Sequence, residues 1–599
     1  MHDRSSHLRW ALGLSLLGAL SIVPVRSGAV AGAAARPGWA YAVSEMVKLG
    51  PGARPKKSAS IELRAARGEC VGAQVVVDAP VRSASMQASA LRRPGAPPIG
   101  VRLYREAFLE VVHPSNSEGR EGRWPDALIP ERDAYFDEAR RAFPVSSTRE
   151  PVVAYVEICA GAAIPGRYEG DVVVRAEGRR PVVIPVRLTV RHFALPATSS
   201  LPNSFGFSGI AAAAGHGLPA DSTNVLELTR LYATAALRHR VSLHGMSMEA
   251  PRIVSTDPPK IDFSAWDAEV GPFLDGTALP NGARFTSIDV RVPHKVVSDP
   301  RGIEYLRLYA EHLREKGWLD RAFVYLKDEP REKDLPEVRR FADLVHRASP
   351  QLRALVTTSM APVLDQSIDL WTPNLNCLFA RKGSDYCKVV RPLGDYAQAR
   401  ARGSRLWWYQ SCGSHGCGEL PALDFAHRRY FAGWPSYMVD HDAALNRAMG
   451  VLAYRHGIDG ELYFNTVEAY LPDGAAKKKP DPWRDLWRFH GNGDGTLFYP
   501  GTPQAIGGTH HVPVESLRLK LIRAGLQDYE VLALARSMGL QAAAEEAAAT
   551  LAPQPYEILR DPEAWQQARD RLADRIEAVQ AKRASEYRPE GVVQGKGRP

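Results

Sequence analysis

Two rhythms of apolar positions divide the chain. From residue 36 to 197, short runs rich in Val and Ile recur: Val71 to Asp78, Pro151 to Ile158, Gly170 to Arg175 and Pro181 to Val190. Turn signals such as Ile164-Pro165-Gly166 separate them. Short alternating or unbroken apolar runs between Pro and Gly turns read as strands, and their spacing predicts an all-β sandwich. His192-Phe193-Ala194-Leu195-Pro196, followed by Thr-Ser-Ser, reads as the link to what comes next.

From residue 198 to 510 the period lengthens. Ile303, Leu306, Tyr309, Ala310 and Leu313 share one helical face, Gly317 is placed to end that helix, and an apolar run, Phe323-Val324-Tyr325-Leu326, follows. Leu335, Val338, Phe341, Ala342 and Val345 repeat the helix before a strand from Leu352 to Thr358. Ala443 to His456, stopped by Gly457, leads into Gly460 to Asn465. Candidate strands begin near Asn203, Arg240, Phe285, Ala322, Leu352, Ile368, Ser404 and Gly460. Eight strand–helix units predict a closed (β/α)8 TIM barrel, with chemistry at the C-terminal strand ends. Residues 511–599 read as helices: an amphipathic stretch from Val514 to Arg536, an Ala-rich one from Gln541 to Leu551, and a charged one from Pro562 to Tyr587. A tail rich in Pro, Gly and Lys is expected to be disordered. The fold class is multidomain: an N-terminal all-β sandwich, an α/β barrel and a C-terminal helical segment.

The first 35 residues have another character. Arg4 and Arg9 precede an apolar run from Trp10 to Val25, and a small-residue stretch up to Ala35 offers A-x-A cleavage sites. That pattern predicts a signal peptide and a secreted or periplasmic protein. No other segment has the roughly 18 apolar residues a membrane span needs. The net charge of +9 is spread among acids over 599 residues, which gives no nucleic-acid stripe. Lys477-Lys478-Lys479 follows a Pro-Asp-Gly turn and reads as a solvated loop. Six cysteines could form disulfides after export, with Cys412–Cys417 and Cys377–Cys387 near enough in sequence to be natural pairs. Cys412, His415 and Cys417 lack a second ligand cluster, so neither metal nor cofactor is expected. Nothing in the chain fixes an oligomeric state.

The chemistry centres on Lys327-Asp328-Glu329-Pro330. A strand interior cannot hold adjacent carboxylates cheaply, because one of the two would enter the apolar layer. At a strand end both can tilt into one pocket, and Pro330 biases Glu329 toward an extended exit. Two close carboxyl groups repel, and one is expected to keep its proton to higher pH. A proton donor beside an anion suits cleavage of an acetal. The plain structural alternative is a helix N-cap.

Several segments together resemble the glycoside hydrolase family 123 catalytic domain and its sandwich module. These are Tyr325-Leu326-Lys327-Asp328-Glu329-Pro330, Leu406-Trp407-Trp408-Tyr409 with Cys412, Gly460-Glu461-Leu462-Tyr463-Phe464-Asn465, Gly493 to Gly501, Ser516-Leu517-Arg518 through Glu530, and Gly68-Glu69 with Gln74. The resemblance implies a glycan substrate, terminal β-linked N-acetylgalactosamine, released with retention. The substrate's own 2-acetamido oxygen would be the nucleophile, Asp328 would orient it, and Glu329 would act as acid and then base. Trp407, Trp408 and Tyr409 form the candidate sugar platform, with one Trp turned under a helix by strand alternation. Tyr463 and Asn465 are candidate partners for sugar hydroxyls, and His244 and His415 could line the mouth. Two other readings stay open: a different glycosidase using Asp440 or Glu468 as second carboxylate, and a non-catalytic glycan-binding protein.

Overall fold

The structure, a computed structural model, describes residues 38–246, 250–293, 302–384, 386–417, 425–472 and 480–586. The signal segment, the Lys477-Lys478-Lys479 run and the tail lie outside the described residues.

Ten strands form the N-terminal region as two five-stranded sheets. Val152–Cys159 sits centrally in the first sheet, flanked by Cys70–Val77 and Val101–Val111. Its sequence, apolar apart from Glu157, follows from burial on both faces. Val152, Ala154, Val156 and Ile158 meet Val172, Val174, Val186 and Leu188 of the second sheet, while Tyr155 turns the other way into the larger core. Cys70 and Cys159 stand in register on neighbouring strands and are joined by a disulfide. Cys377–Cys387 and Cys412–Cys417 are bonded as well. The expected linker residues His192 and Phe193 are instead the end of the strand Val182–Ala194.

Eight parallel strands follow: Asn203–Gly206, Leu243–His244, Ile288–Asp289, Ala322–Lys327, Arg353–Val356, Leu370–Trp371, Arg405–Tyr409 and Gly460–Tyr463. Their starts fall within three residues of those read from the apolar rhythm. The first strand pairs with both the second and the eighth, so the sheet curls round. Among the described residues no ladder joins the second strand to the third, and the barrel is nearly closed. Side chains bridge this seam: Ser242 Oγ accepts from Thr286 N–H at 2.7 Å, and Asp289 Oδ1 accepts from Gly245 N–H at 3.0 Å.

The C-terminal region corrects one expectation. The helix is Leu517–Ser537, preceded by a strand Val512–Glu515, and it is buried on all sides rather than amphipathic. The charges assigned to a solvent face are paired inside. Arg518 grips Asp126, Lys520 and Arg523 both meet Glu157 of the sandwich, and Asp528 lies between Arg447 and Arg569. Removing one partner of such a buried pair costs about 3–5 kcal/mol, so the helix is a polar spine between sandwich and barrel. Periodicity alone cannot separate a charge facing water from one facing a buried opposite charge.

Candidate active site

The fourth barrel strand explains how the paired carboxylates come together. Phe323 and Tyr325 point into the barrel, where they meet Leu355, Leu370, Trp407, Tyr409 and Leu462. Val324 points out, toward the surrounding helices. Register with the fifth strand slips between Tyr325 and Lys327, so the alternation breaks one residue before the acids. Asp328 and Glu329 then stand exposed just beyond the strand, at its C-terminal end.

Hydroxyl groups from three strands hold the pair. Tyr325 Oη donates to Asp328 Oδ1 at 2.7 Å, and Thr357 Oγ1, just past the fifth strand, donates to the same oxygen at 2.9 Å. Thr357 Oγ1 also accepts from the Glu329 N–H at 2.8 Å. Tyr409 Oη, at the end of the seventh strand, donates to Glu329 Oε1. Burial, then the adjacent carboxylate, pushes both the Tyr325 and Tyr409 hydroxyls well above the usual phenol range, so both remain donors. Glu329 leaves the strand with φ of 38°, a left-handed conformation instead of the extended exit expected before Pro330. That geometry costs about 1–3 kcal/mol and is held from both ends, at the backbone by Thr357 and at the carboxylate by Tyr409.

His244, the last residue of the second strand, stands beside Tyr325. Its Nδ1 lies 3.1 Å from Ser204 Oγ, and its ring meets Tyr325 edge-on at 6.2 Å. Burial lowers its pKa, opposed by Asp289 and Asp328. The arrangement therefore supplies two carboxylates, neutral hydroxyl donors and an imidazole at one strand-end opening.

A family model, "Glycoside hydrolase 123, catalytic domain", matches residues 302–535, a span that contains both carboxylates. Over that span the chain matches the catalytic domain of glycoside hydrolase family 123. The match supports a glycoside hydrolase acting on glycans. A solved family 123 glycoside hydrolase from Clostridium perfringens, described for glycolipid glycan hydrolysis, superposes with a TM-score of 0.63 at 15% identity, covering 92% of this chain and 100% of that one. At this identity it shows the shared fold. A GH5 xyloglucanase from Bacteroides ovatus gives a TM-score of 0.27 at 11% identity, covering 78% of this chain and 98% of that one. No curated protein matches the chain.

Within the matched span, the other residues read from the sequence scatter. Tyr409 belongs to the site, through Glu329. Trp408 is 0% exposed and faces the helices. Trp407 points inward but low in the barrel, 3% exposed, against Phe323 and far from the mouth. Neither Trp is a sugar platform, because the alternation that turns Trp408 out also sets Trp407 two residues below Tyr409. Tyr463 is fully buried and turned outward; its hydroxyl donates to Asp494 Oδ1 at 3.1 Å and accepts from Gly495 N–H at 2.7 Å. Asn465 is half-buried past the eighth strand, its amide bound to Glu468 and its oxygen accepting from Thr466 N–H at 2.8 Å. His415 is buried, 3.2 Å from Gln410. Asp440 is buried under the sandwich, where Ser115 donates to it from both N–H and Oγ.

Sequence reasoning missed Thr357, Asp289, Tyr386 and Asp494. Tyr386 sits in the loop closed by Cys377–Cys387, its hydroxyl pushed up by burial and then by Glu329. Asp494 accepts from Cys412 N–H at 2.7 Å, behind the turn that follows the seventh strand, and burial raises its pKa to about 7. The signal for Asp494 was its setting between Gly493 and Gly495, which mark a tight loop. Thr357 and Asp289 carry no signal beyond their place at strand ends.

Proposed function

We propose that this chain is an exported, retaining β-N-acetylhexosaminidase that removes terminal β-linked N-acetylgalactosamine by substrate-assisted catalysis. The observation that carries the reading is that the exposed carboxylates are sequence neighbours on one strand end. An enzyme nucleophile and an acid must face each other across the glycosidic bond at roughly 5 Å, and an inverting pair stands wider still. Neighbours on one side of the sugar suit a nucleophile that the substrate brings. Asp440, the alternative second carboxylate, is committed to Ser115, and Glu468 to Asn465.

In this mechanism the acetamido oxygen attacks C1 while Glu329 gives its proton to the departing oxygen, which leaves with the bond's electrons. Asp328, fixed by Tyr325 and Thr357, accepts the acetamido N–H and stabilises the oxazolinium. Glu329, now a carboxylate, takes a proton from water as the water oxygen adds to C1. The ring opens, and the acetamide is restored with the β configuration retained. Export is supported by the basic and apolar N-terminal sequence and by the pairing of all six cysteines.

The test is release of nitrophenol from 4-nitrophenyl β-N-acetylgalactosaminide, with the gluco isomer, a glycolipid carrying the terminal sugar, and Glu329→Gln alongside. Turnover of the galacto substrate, lost in the variant and giving the β anomer first by NMR, is expected. An α product, or no turnover on any of the three, would overturn the reading.

A further inference from the structure

The opposite end of the barrel holds a cavity of about 410 Å³ that the glycosidase chemistry does not use. Four arginines converge on it: Arg284, Arg321, Arg353 and Arg405. Their placement follows from the strand pattern. Arg353 and Arg405 are the first residues of the fifth and seventh strands, Arg321 directly precedes the fourth, and Arg284 approaches the third. Strand starts in a barrel share one rim, so the side chains gather there. Asp328 lies beyond the far end of the fourth strand, and seven residues at about 3.3 Å each separate the two rims by roughly 20 Å.

These guanidiniums outnumber the acids beside them. Among the described residues none of the four forms an ion pair. Arg321 uses its Nη1–H groups on the carbonyls of Leu274 and Phe285, which fixes it in place without neutralising it. Asp320 lines the same cavity, but the other acids within electrostatic reach are engaged elsewhere. Asp369 accepts from Ala354 N–H and lies 2.7 Å from His346, and Asp275 accepts from Trp318 Nε1 at 2.7 Å. Burial, then the neighbouring arginine, pulls Arg321 and Arg353 below the usual guanidinium range: Arg284 acts on the first and Arg405 on the second. Trp407 lines the same cavity, and its buried Nε1–H has no hydrogen-bond partner.

We propose that this cavity is a binding site for a phosphate or sulfate group. Like charges brought together in a partly enclosed space repel unless an anion enters, and the planar guanidinium fork matches tetrahedral oxyanions better than a spherical ion. The ligand is either the free ion or such a group carried on a sugar, since both present the same oxygens. Arg353 and Arg405 are its principal holders, with Arg284 at the outer edge.

The experiment is isothermal titration calorimetry on the full mature chain at constant ionic strength. Inorganic phosphate, inorganic sulfate and N-acetylgalactosamine 6-sulfate are titrated separately, with chloride as the reference. Saturable 1:1 binding of phosphate or sulfate is expected, weakened at least tenfold in Arg353→Gln/Arg405→Gln and unchanged in Asp328→Asn. If the sulfated sugar binds and competes with sulfate, the site takes a carried group; if only the inorganic ions bind, it takes the free ion. No saturable binding beyond chloride, or equal affinity in the double variant, overturns the proposal. Should the double variant fail to fold, Arg284→Gln, which changes an exposed residue outside the strands, must weaken binding several-fold or the proposal falls.

Discussion

The two rims of the barrel handle charge in opposite ways. At the C-terminal rim two carboxylates are each met by neutral hydroxyl donors, drawn from the fourth, fifth and seventh strands. At the N-terminal rim four guanidiniums face one cavity with a single lining carboxylate among them. The first rim has fixed dipoles aimed at groups that, on the proposed function, change charge during a reaction, so little has to reorganise when they do. The second has excess charge and few aimed partners, the electrostatics of a place that binds an ion and leaves it unchanged. On the two proposals, one fold separates chemistry from binding by the length of a strand.

The largest effect should come from the carboxylates themselves. On the proposed mechanism Glu329→Gln removes the group that gives and takes the proton, and kcat on an unactivated glycan should fall by about 10²–10⁴-fold. Asp328→Asn should fall by a similar factor, because the oxazolinium of that proposal would lose its counter-charge while the hydroxyl contacts remain. Steady-state kinetics on both variants checks this. Activity within tenfold of wild type in either would mean that the C-terminal rim is not the reactive end.

How far the sequence reached depended on whether a residue's partner was local. The strand starts were legible because apolar period and glycine stops are properties of a few consecutive residues. Asp328 and Glu329 were legible because two adjacent acids behind a buried run have few cheap explanations. Trp407, Trp408 and Tyr409 were legible only as a group. Alternation predicted that one Trp would turn outward, but not that the inward one would sit too low, since depth in a barrel is set by the register with neighbouring strands. The role of Thr357 and the pairing of the spine residues Arg518, Lys520 and Asp528 were not legible. Their meaning lies in partners on other elements, such as Asp126 and Glu157, far away in sequence.

The next effect concerns a carboxyl behind the C-terminal rim. Burial raises Asp494 from an ordinary 3.8 to about 7. The folded protein therefore binds a proton that the unfolded chain releases across that window, so this group's contribution to stability falls as pH rises from about 4 to 7 and is fully lost above. Across the window the difference is roughly 4 kcal/mol. Urea melts of wild type and Asp494→Asn at pH 4, 6 and 8 should diverge, the wild type losing more toward alkaline pH. Parallel curves would show that Asp494 is ionised throughout, and that acids at this rim tolerate burial as anions.

Tyr409→Phe asks whether the hydroxyl frame contributes to rate. A hydrogen bond to a charged group contributes about 1.5–3 kcal/mol, so kcat should fall by at least about tenfold. KM should stay within about twofold, because the tyrosine holds the enzyme's carboxylate and not the sugar. A rise in KM with kcat unchanged would recast Tyr409 as a sugar contact, restoring part of the aromatic platform that the burial of Trp407 and Trp408 removes.

The smallest effect is the one the separation of the rims most needs. Arg353→Gln/Arg405→Gln should leave kcat/KM on the nitrophenyl substrate within about twofold of wild type, measured with and without sulfate. The argument rests on distance and screening together. Unit charges roughly 20 Å apart interact across a barrel mouth open to water, where ordinary salt damps fields beyond about 8–10 Å. Packing gives a second reason: the strands between the rims carry Phe323, Leu355 and Leu370, which neither titrate nor change partners when a surface charge is removed. A large loss of activity, or one that sulfate reverses only in wild type, would require a path through that apolar layer. The barrel would then couple anion binding to glycan hydrolysis rather than keep them apart.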